Sequence, residues 1–169
     1  MVKTATLPLI AAERFYRKNK ELVKHILLYN TENIRTKRDM ILFAKDMDSH
    51  REGKLFFLNG FPIVSMLSKN TDIVLSHQNG CALNYLYFDA AWLGFPVVHN
   101  AHMVKELGYY YEGFDAEAAA DQLVYVAKNF DNEKAEYLKK SREYISKFLP
   151  DHPRNVKGYE KLIAQVMKS

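Results

Sequence analysis

Three short stretches concentrate the side chains that could do chemistry. His77-Gln78-Asn79-Gly80-Cys81-Ala82-Leu83-Asn84 leads into Tyr85 and a helical pattern that contains Asp89. His99-Asn100-Ala101-His102 and Asn59-Gly60-Phe61-Pro62 each follow an apolar run. A helix start has free N–H groups and the positive end of the dipole, so Asn79–Asn84 could cradle a phosphate. Asp89 falls about one and a half turns inside that helix, where a carboxylate could accept hydrogen bonds from sugar hydroxyls. His77 and Gln78 have two readings: neutral hydrogen bonds to a phosphate or sugar, or satisfaction of backbone groups at a strand end. Asn100 likewise binds a ligand or makes an Asx turn. His77, His99, His102 and Cys81 have the right atoms for zinc, but no tight ligand spacing joins them, and no metal is expected. Cys81 has no His/Asp relay around it and reads as a small inert residue. No Walker P-loop or Gly-x-Gly-x-x-Gly occurs, so the common ATPase and dinucleotide readings lack support.

The elements that would position these residues alternate. Helical spacing runs over Ile10–Lys24, Glu32–Met47, Pro62–Ser68 and Asn84–Leu93, the last stopped by Gly94. Between them lie short apolar runs at His25–Asn30, Lys54–Asn59, Asp72–Ser76, Pro96–His99 and Gly108–Tyr111, each of strand length. In the last of these, Tyr109-Tyr110-Tyr111 suits a strand with alternate faces buried. Asp115 is placed as the N-cap of an Ala-rich helix reaching Asn129, and Asn132–Leu149 and Asn155–Lys168 complete the chain as helices. Unbroken apolar strands alternating with helices predict an α/β domain: a Rossmann-like parallel sheet of five or six strands with helices on both faces and a helical C-terminal tail. Such sheets carry ligands at the carboxyl ends of their strands, where all three polar stretches fall.

Composition agrees with one folded domain over residues 1–169. Of 169 residues 48% are hydrophobic and 13% aromatic, which excludes disorder and collagen. No apolar stretch approaches the ~20 residues of a membrane span, and the N-terminus has too short an apolar run for a secretory signal. The single cysteine excludes an internal disulfide, and a cytoplasmic location is expected. The net charge of +4 is unevenly spread. Residues 1–54 carry 12 Lys/Arg against 7 Asp/Glu, residues 55–133 carry 3 against 9, and residues 134–169 carry 9 against 4. A nucleic-acid reader concentrates cations around its binding centre, whereas here the motif-bearing middle is acidic, so a nucleic-acid partner is not expected. The basic ends suit solvated helix faces or contact with an anionic membrane surface or polymer.

Several phrases resemble the C-terminal half of the GT-B glycosyltransferase superfamily. They are Thr71-Asp72-Ile73-Val74-Leu75-Ser76, Asp89-Ala90-Ala91-Trp92-Leu93-Gly94-Phe95-Pro96-Val97-Val98, Gly108–Tyr111 and Asp115-Ala116-Glu117-Ala118-Ala119-Ala120. Ser76-His77-Gln78, Leu83-Asn84-Tyr85 and Val98-His99-Asn100-Ala101 more closely resemble a poorly characterised bacterial branch of it. The resemblance implies a donor-binding domain for a nucleoside-diphosphate sugar, with that sugar as substrate and no other cofactor. It places Asp89 on the ribose hydroxyls, Asn79–Asn84 on the diphosphate and Asn59, Gly60 and Phe61 beside the base. His77, Gln78, Tyr85, His99 and Asn100 complete the expected donor-side set.

The sequence also departs from the superfamily. Where retaining members carry Glu-x7-Glu, Cys81 takes the first position and Asp89 the second, so one usual carboxylate contact to the donor sugar is missing. The resemblance further implies that residues 1–169 correspond to the second of two domains, with the acceptor domain absent. The expected partners are therefore a separate acceptor-binding domain or a second copy of the chain. Two functions follow: donor-binding domain of a glycosyltransferase, or a non-catalytic nucleotide- or sugar-binding module.

Overall fold

The computed structural model describes residues 5–60 and 62–167, apart from the side chain of Asn70. Phe61, expected beside the base, lies outside the described residues. The chain is α/β: α1 (Thr6–Lys18), β1 (Ile26–Leu28), α2 (Arg38–Lys45), α3 (Asp48–Arg51), β2 (Leu55–Phe57), α4 (Ile63–Asn70), β3 (Val74–Leu75), α5 (Tyr85–Trp92), β4 (Val97–His99), β5 (Tyr109–Tyr110), α6 (Ala116–Ser146) and α7 (Pro153–Val166). All described strand pairs are parallel, as the unbroken apolar runs predict.

The strands form two sheets rather than one. β1 pairs with β2 in register Ile26–Leu55 to Leu28–Phe57, while β3, β4 and β5 lie side by side in that order. Side chains bridge the break. Ile26 packs on the core shared by Leu7, Phe15, Tyr16, Val98, Tyr111 and Leu123, and also on the smaller core of Leu9, Ala44, Met47 and Leu55. On the other face, Leu67, Tyr87, Ala90, Val97, Leu107 and Tyr137 form a third cluster, so helices cover both sides of β3–β5.

Local chemistry sets the boundaries. Asn84 caps α5 by accepting the Leu86 N–H at 3.2 Å. At the other end Phe95 N–H bonds Ala90 O and Gly94 N–H bonds Ala91 O, a Schellman closure. Asp115 accepts from Glu117 and Ala118 N–H at 2.9 Å, capping α6 as expected. The break expected between Asn129 and Asn132 does not occur, and α6 runs through as 31 residues. Phe130 holds it together, packing on both large clusters, while the Asn129 side chain bonds back to Tyr125 O. The second helical stretch, expected over Glu32–Met47, is shorter: turns occupy 32–36, α2 covers Arg38–Lys45, and α3 follows beyond Met47. The buried Glu13 carboxylate specifies α3: it accepts from Asp48 N–H, Ser49 N–H and Ser49 Oγ, with Arg17 beside it.

Candidate functional site

The loops leaving β3 and β4 are joined by a reciprocal amide clamp. Asn100 Oδ1 accepts the Gln78 backbone N–H at 2.9 Å, and its Nδ2 donates to Gln78 O at 2.9 Å and Gly113 O at 3.0 Å. Gln78 Nε2 donates to Asn100 O, and Gln78 Oε1 takes the Cys81 N–H at 2.7 Å. Both residues are buried, so these bonds replace water for backbone groups that would otherwise be stranded. The clamp holds the two strand ends in register and fixes the start of the loop that leads to α5.

His99 is committed to the fold as well. Its Nδ1 accepts the Ala101 N–H at 3.0 Å, so the proton of the neutral ring resides on Nε2, which donates to Leu107 O. The ring is fully buried against Tyr87, and that burial lowers its pKa, with the Leu107 carbonyl opposing.

His77 differs. Tyr111 Oη lies 3.1 Å from Ser76 O, a group that can only accept, so the phenol proton goes there. His77 Nδ1, 3.0 Å from the same phenol oxygen, must then supply its own proton to make the second bond. That leaves Nε2 as a bare acceptor, and it has no hydrogen-bond partner among the described residues. Desolvation lowers the ring's pKa and keeps it neutral. His77 is 2% exposed, stacked on Tyr111, with the Phe114 ring edge-on at 4.7 Å. Phe114 is itself 61% exposed, so a surface side chain covers the imidazole. A bare Nε2 suits a hydroxyl or N–H donor and is repelled by phosphate oxygens.

Beyond the clamp the loop opens to solvent. Asn79 and Gly80 are exposed, and Asn84 caps the helix start. Tyr85 and Asp89 follow at helical spacing on the exposed side of α5, while Tyr87, Phe88, Ala90 and Ala91 face the core. Ser76 Oγ meets Tyr87 Oη at 2.9 Å and ties the start of the loop to the helix it feeds.

At the ends of β1 and β2, Asn59 and Gly60 are exposed. Here sequence reasoning missed Asn30, Thr31 and Glu32. Thr31 Oγ1 bonds both Leu28 O and Leu58 O, stapling the two strand ends. Asn30 adopts φ 57°, and its Oδ1 lies where a Cβ on residue 60 would sit, so only glycine fits without displacing it. Glu32 accepts the Gly60 N–H at 2.8 Å; its own backbone N–H and that of Gly60 hold the carboxyl below the usual range. The signal available was the polar residues that end the first apolar run, as they do the others.

The structure thus brings His77, Gln78, Asn79, Gly80, Asn84, Tyr85, Asp89, His99 and Asn100 onto one β3–α5–β4 unit. Asn59 and Gly60 sit at the same end of the separate β1–β2 pair. Two surface hollows of about 280 and 270 Å³ lie elsewhere, beside α1 and α2, with Phe43 lining both. Among the described residues no cluster of three or more His, Cys, Asp or Glu could hold a metal ion. No described helix is long and apolar enough to cross a membrane. The chain belongs to the family described as protein of unknown function (DUF2827), whose family model matches residues 1–163. No curated protein matches it.

Proposed function

We propose that the chain binds a nucleoside-diphosphate sugar over the loop between β3 and α5, as the donor-binding domain of a glycosyltransferase. The observation that carries this reading is Asp89. It stands exposed on the helix fed by the open Asn79–Asn84 loop, at the carboxyl end of a parallel strand. In this reading Asp89 accepts the ribose hydroxyls, and the positive end of the α5 dipole faces the diphosphate. His77 Nε2 takes a hydroxyl of the donor sugar once Phe114 swings aside. Gln78, His99 and Asn100 hold the loop, since their polar atoms are spent within the fold. In the transfer, an acceptor hydroxyl oxygen bonds the anomeric carbon and passes its proton to water, while the carbon–oxygen bond to the diphosphate breaks. The electron pair leaves with the diphosphate, whose charge the positive end of the α5 dipole stabilises.

Cys81 favours a second reading. It occupies the position where a carboxylate toward the sugar is expected, so the same site serves equally as a non-catalytic nucleotide- or sugar-binding module. A separate acceptor-binding domain or a second copy as partner, and a cytoplasmic location, belong to this proposal. Calorimetry with UDP, GDP and their sugars tests it. Saturable binding is expected, and slow hydrolysis of a sugar nucleotide selects the enzyme over the module. Absence of any nucleotide binding contradicts both.

A further inference from the structure

Helix α7 is the most sharply two-faced helix of the chain, yet none of its residues is buried. Val156, Tyr159, Leu162 and Ile163, with Met167 just beyond, fall within an arc of about 140° at 100° per residue. Their exposures run from 39% to 81%. Arg154, Lys157 and Lys161 lie on the other side. Phe148 and Leu149, also exposed, sit in the turn before the helix. That turn is fixed, because Asn155 Nδ2 donates to Lys147 O at 3.1 Å and Leu149 O at 2.8 Å.

We propose that α7 docks flat on an anionic phospholipid surface, inserting Val156, Tyr159, Leu162, Ile163 and Met167 between headgroups. Charge complementarity selects this occupant. Helix α7 carries Arg154, Lys157 and Lys161 against Glu160 alone, in contrast to the acidic middle of the chain. A second copy brings the same cationic segment against itself, whereas an anionic bilayer meets it with opposite charge. The polar face is rich in Lys and Arg and the other face carries Tyr, Leu, Ile and Val, the pattern of a helix lying in the membrane interface. At 14 residues the helix is too short to span. Lys157 and Lys161 have stems long enough to bring their ammonium groups toward the headgroups.

The test is co-sedimentation of the full chain with vesicles of phosphatidylcholine alone, or with about one-quarter phosphatidylglycerol. Binding is expected to the anionic vesicles only and to weaken steeply from about 0.1 to about 0.5 M salt. Tyr159→Ser, Leu162→Ser and Ile163→Ser combined should cut the bound fraction about tenfold. The thermal melt should hold, because the three side chains are exposed. Lys157→Glu with Lys161→Glu should also reduce binding. No pelleting, equal pelleting with neutral vesicles, or pelleting indifferent to the triple substitution overturns the proposal. So does a dimer that the triple substitution dissolves, which assigns the face to a second copy. Nucleotide binding is measured on the same variants and should be unchanged, so the outcome is independent of the donor-site reading.

Discussion

Asp89 and Asn100 were equally polar as letters, yet the fold gives them opposite duties. Asp89 is exposed and Asn100 is buried in the clamp between strand ends. Charge-assisted hydrogen bonds contribute about 1.5–3 kcal/mol each, so Asp89→Asn should weaken nucleoside-diphosphate binding at least about tenfold with the melt unchanged. Asp89→Ala should weaken it further, and Glu106→Gln should do nothing; calorimetry and melting on each variant read both effects. Asn100→Ala strands buried backbone groups and should cost about 2–4 kcal/mol in urea unfolding. At this scale the sequence was half legible. Spacing put Asn84 and Asp89 on one helix, as found. Whether His77, Gln78, His99 and Asn100 face a ligand or the backbone depended on partners far along the chain, such as Tyr111 and Gly113.

Elements were legible wherever a local signal marked their ends. Asn84, Gly94 and Asp115 terminate helices by short-range hydrogen bonds, and the structure uses all three. The continuity of α6 was not legible, because polar Asn129, Asp131 and Asn132 suggest a break that the tertiary packing of Phe130 overrides. The turn into β5 shows how narrow such a signal can be. Gly108 has φ +79°, and a Cβ there would lie 2.5 Å from Val97 O, a backbone atom that cannot move aside. Gly108→Ala combines left-handed strain with a clash and should cost about 3 kcal/mol or more. The melt should then fall by about 6–12 °C. Gly53→Ala, at φ +67° with open space around it, should cost only about 1 kcal/mol. Equal losses in the two variants would show that the close approach to Val97 does not matter.

For the molecule as a whole, the alternation of strands and helices announced parallel α/β architecture. The division into two sheets was not announced, because apolar runs of strand length do not say which strands pair; Ile26 then joins the two sheets by packing on both cores. Two buried imidazoles also make stability depend on acid. Burial lowers the folded pKa of His77 and His99 below 6.5, so the unfolded chain takes up protons that the folded chain refuses. Stability is therefore full above about pH 6.5 and falls as the pH drops below it. Urea midpoints should be lower at about pH 5.5 than at about pH 7.5, and His77→Gln should flatten the difference. An unchanged midpoint in the parent protein would remove the two rings as the cause.

The central claim is that a nucleoside diphosphate sits over the loop from β3 into α5. Amide NMR of the protein titrated with UDP and with GDP reads this directly, because each residue from Asn79 to Asp89 reports separately. Shifts are expected to saturate with one of the two nucleotides, to centre on those amides, and to vanish in Asp89→Ala. Shifts that are absent at millimolar nucleotide, or that gather instead around Phe43 beside α1 and α2, would contradict the account.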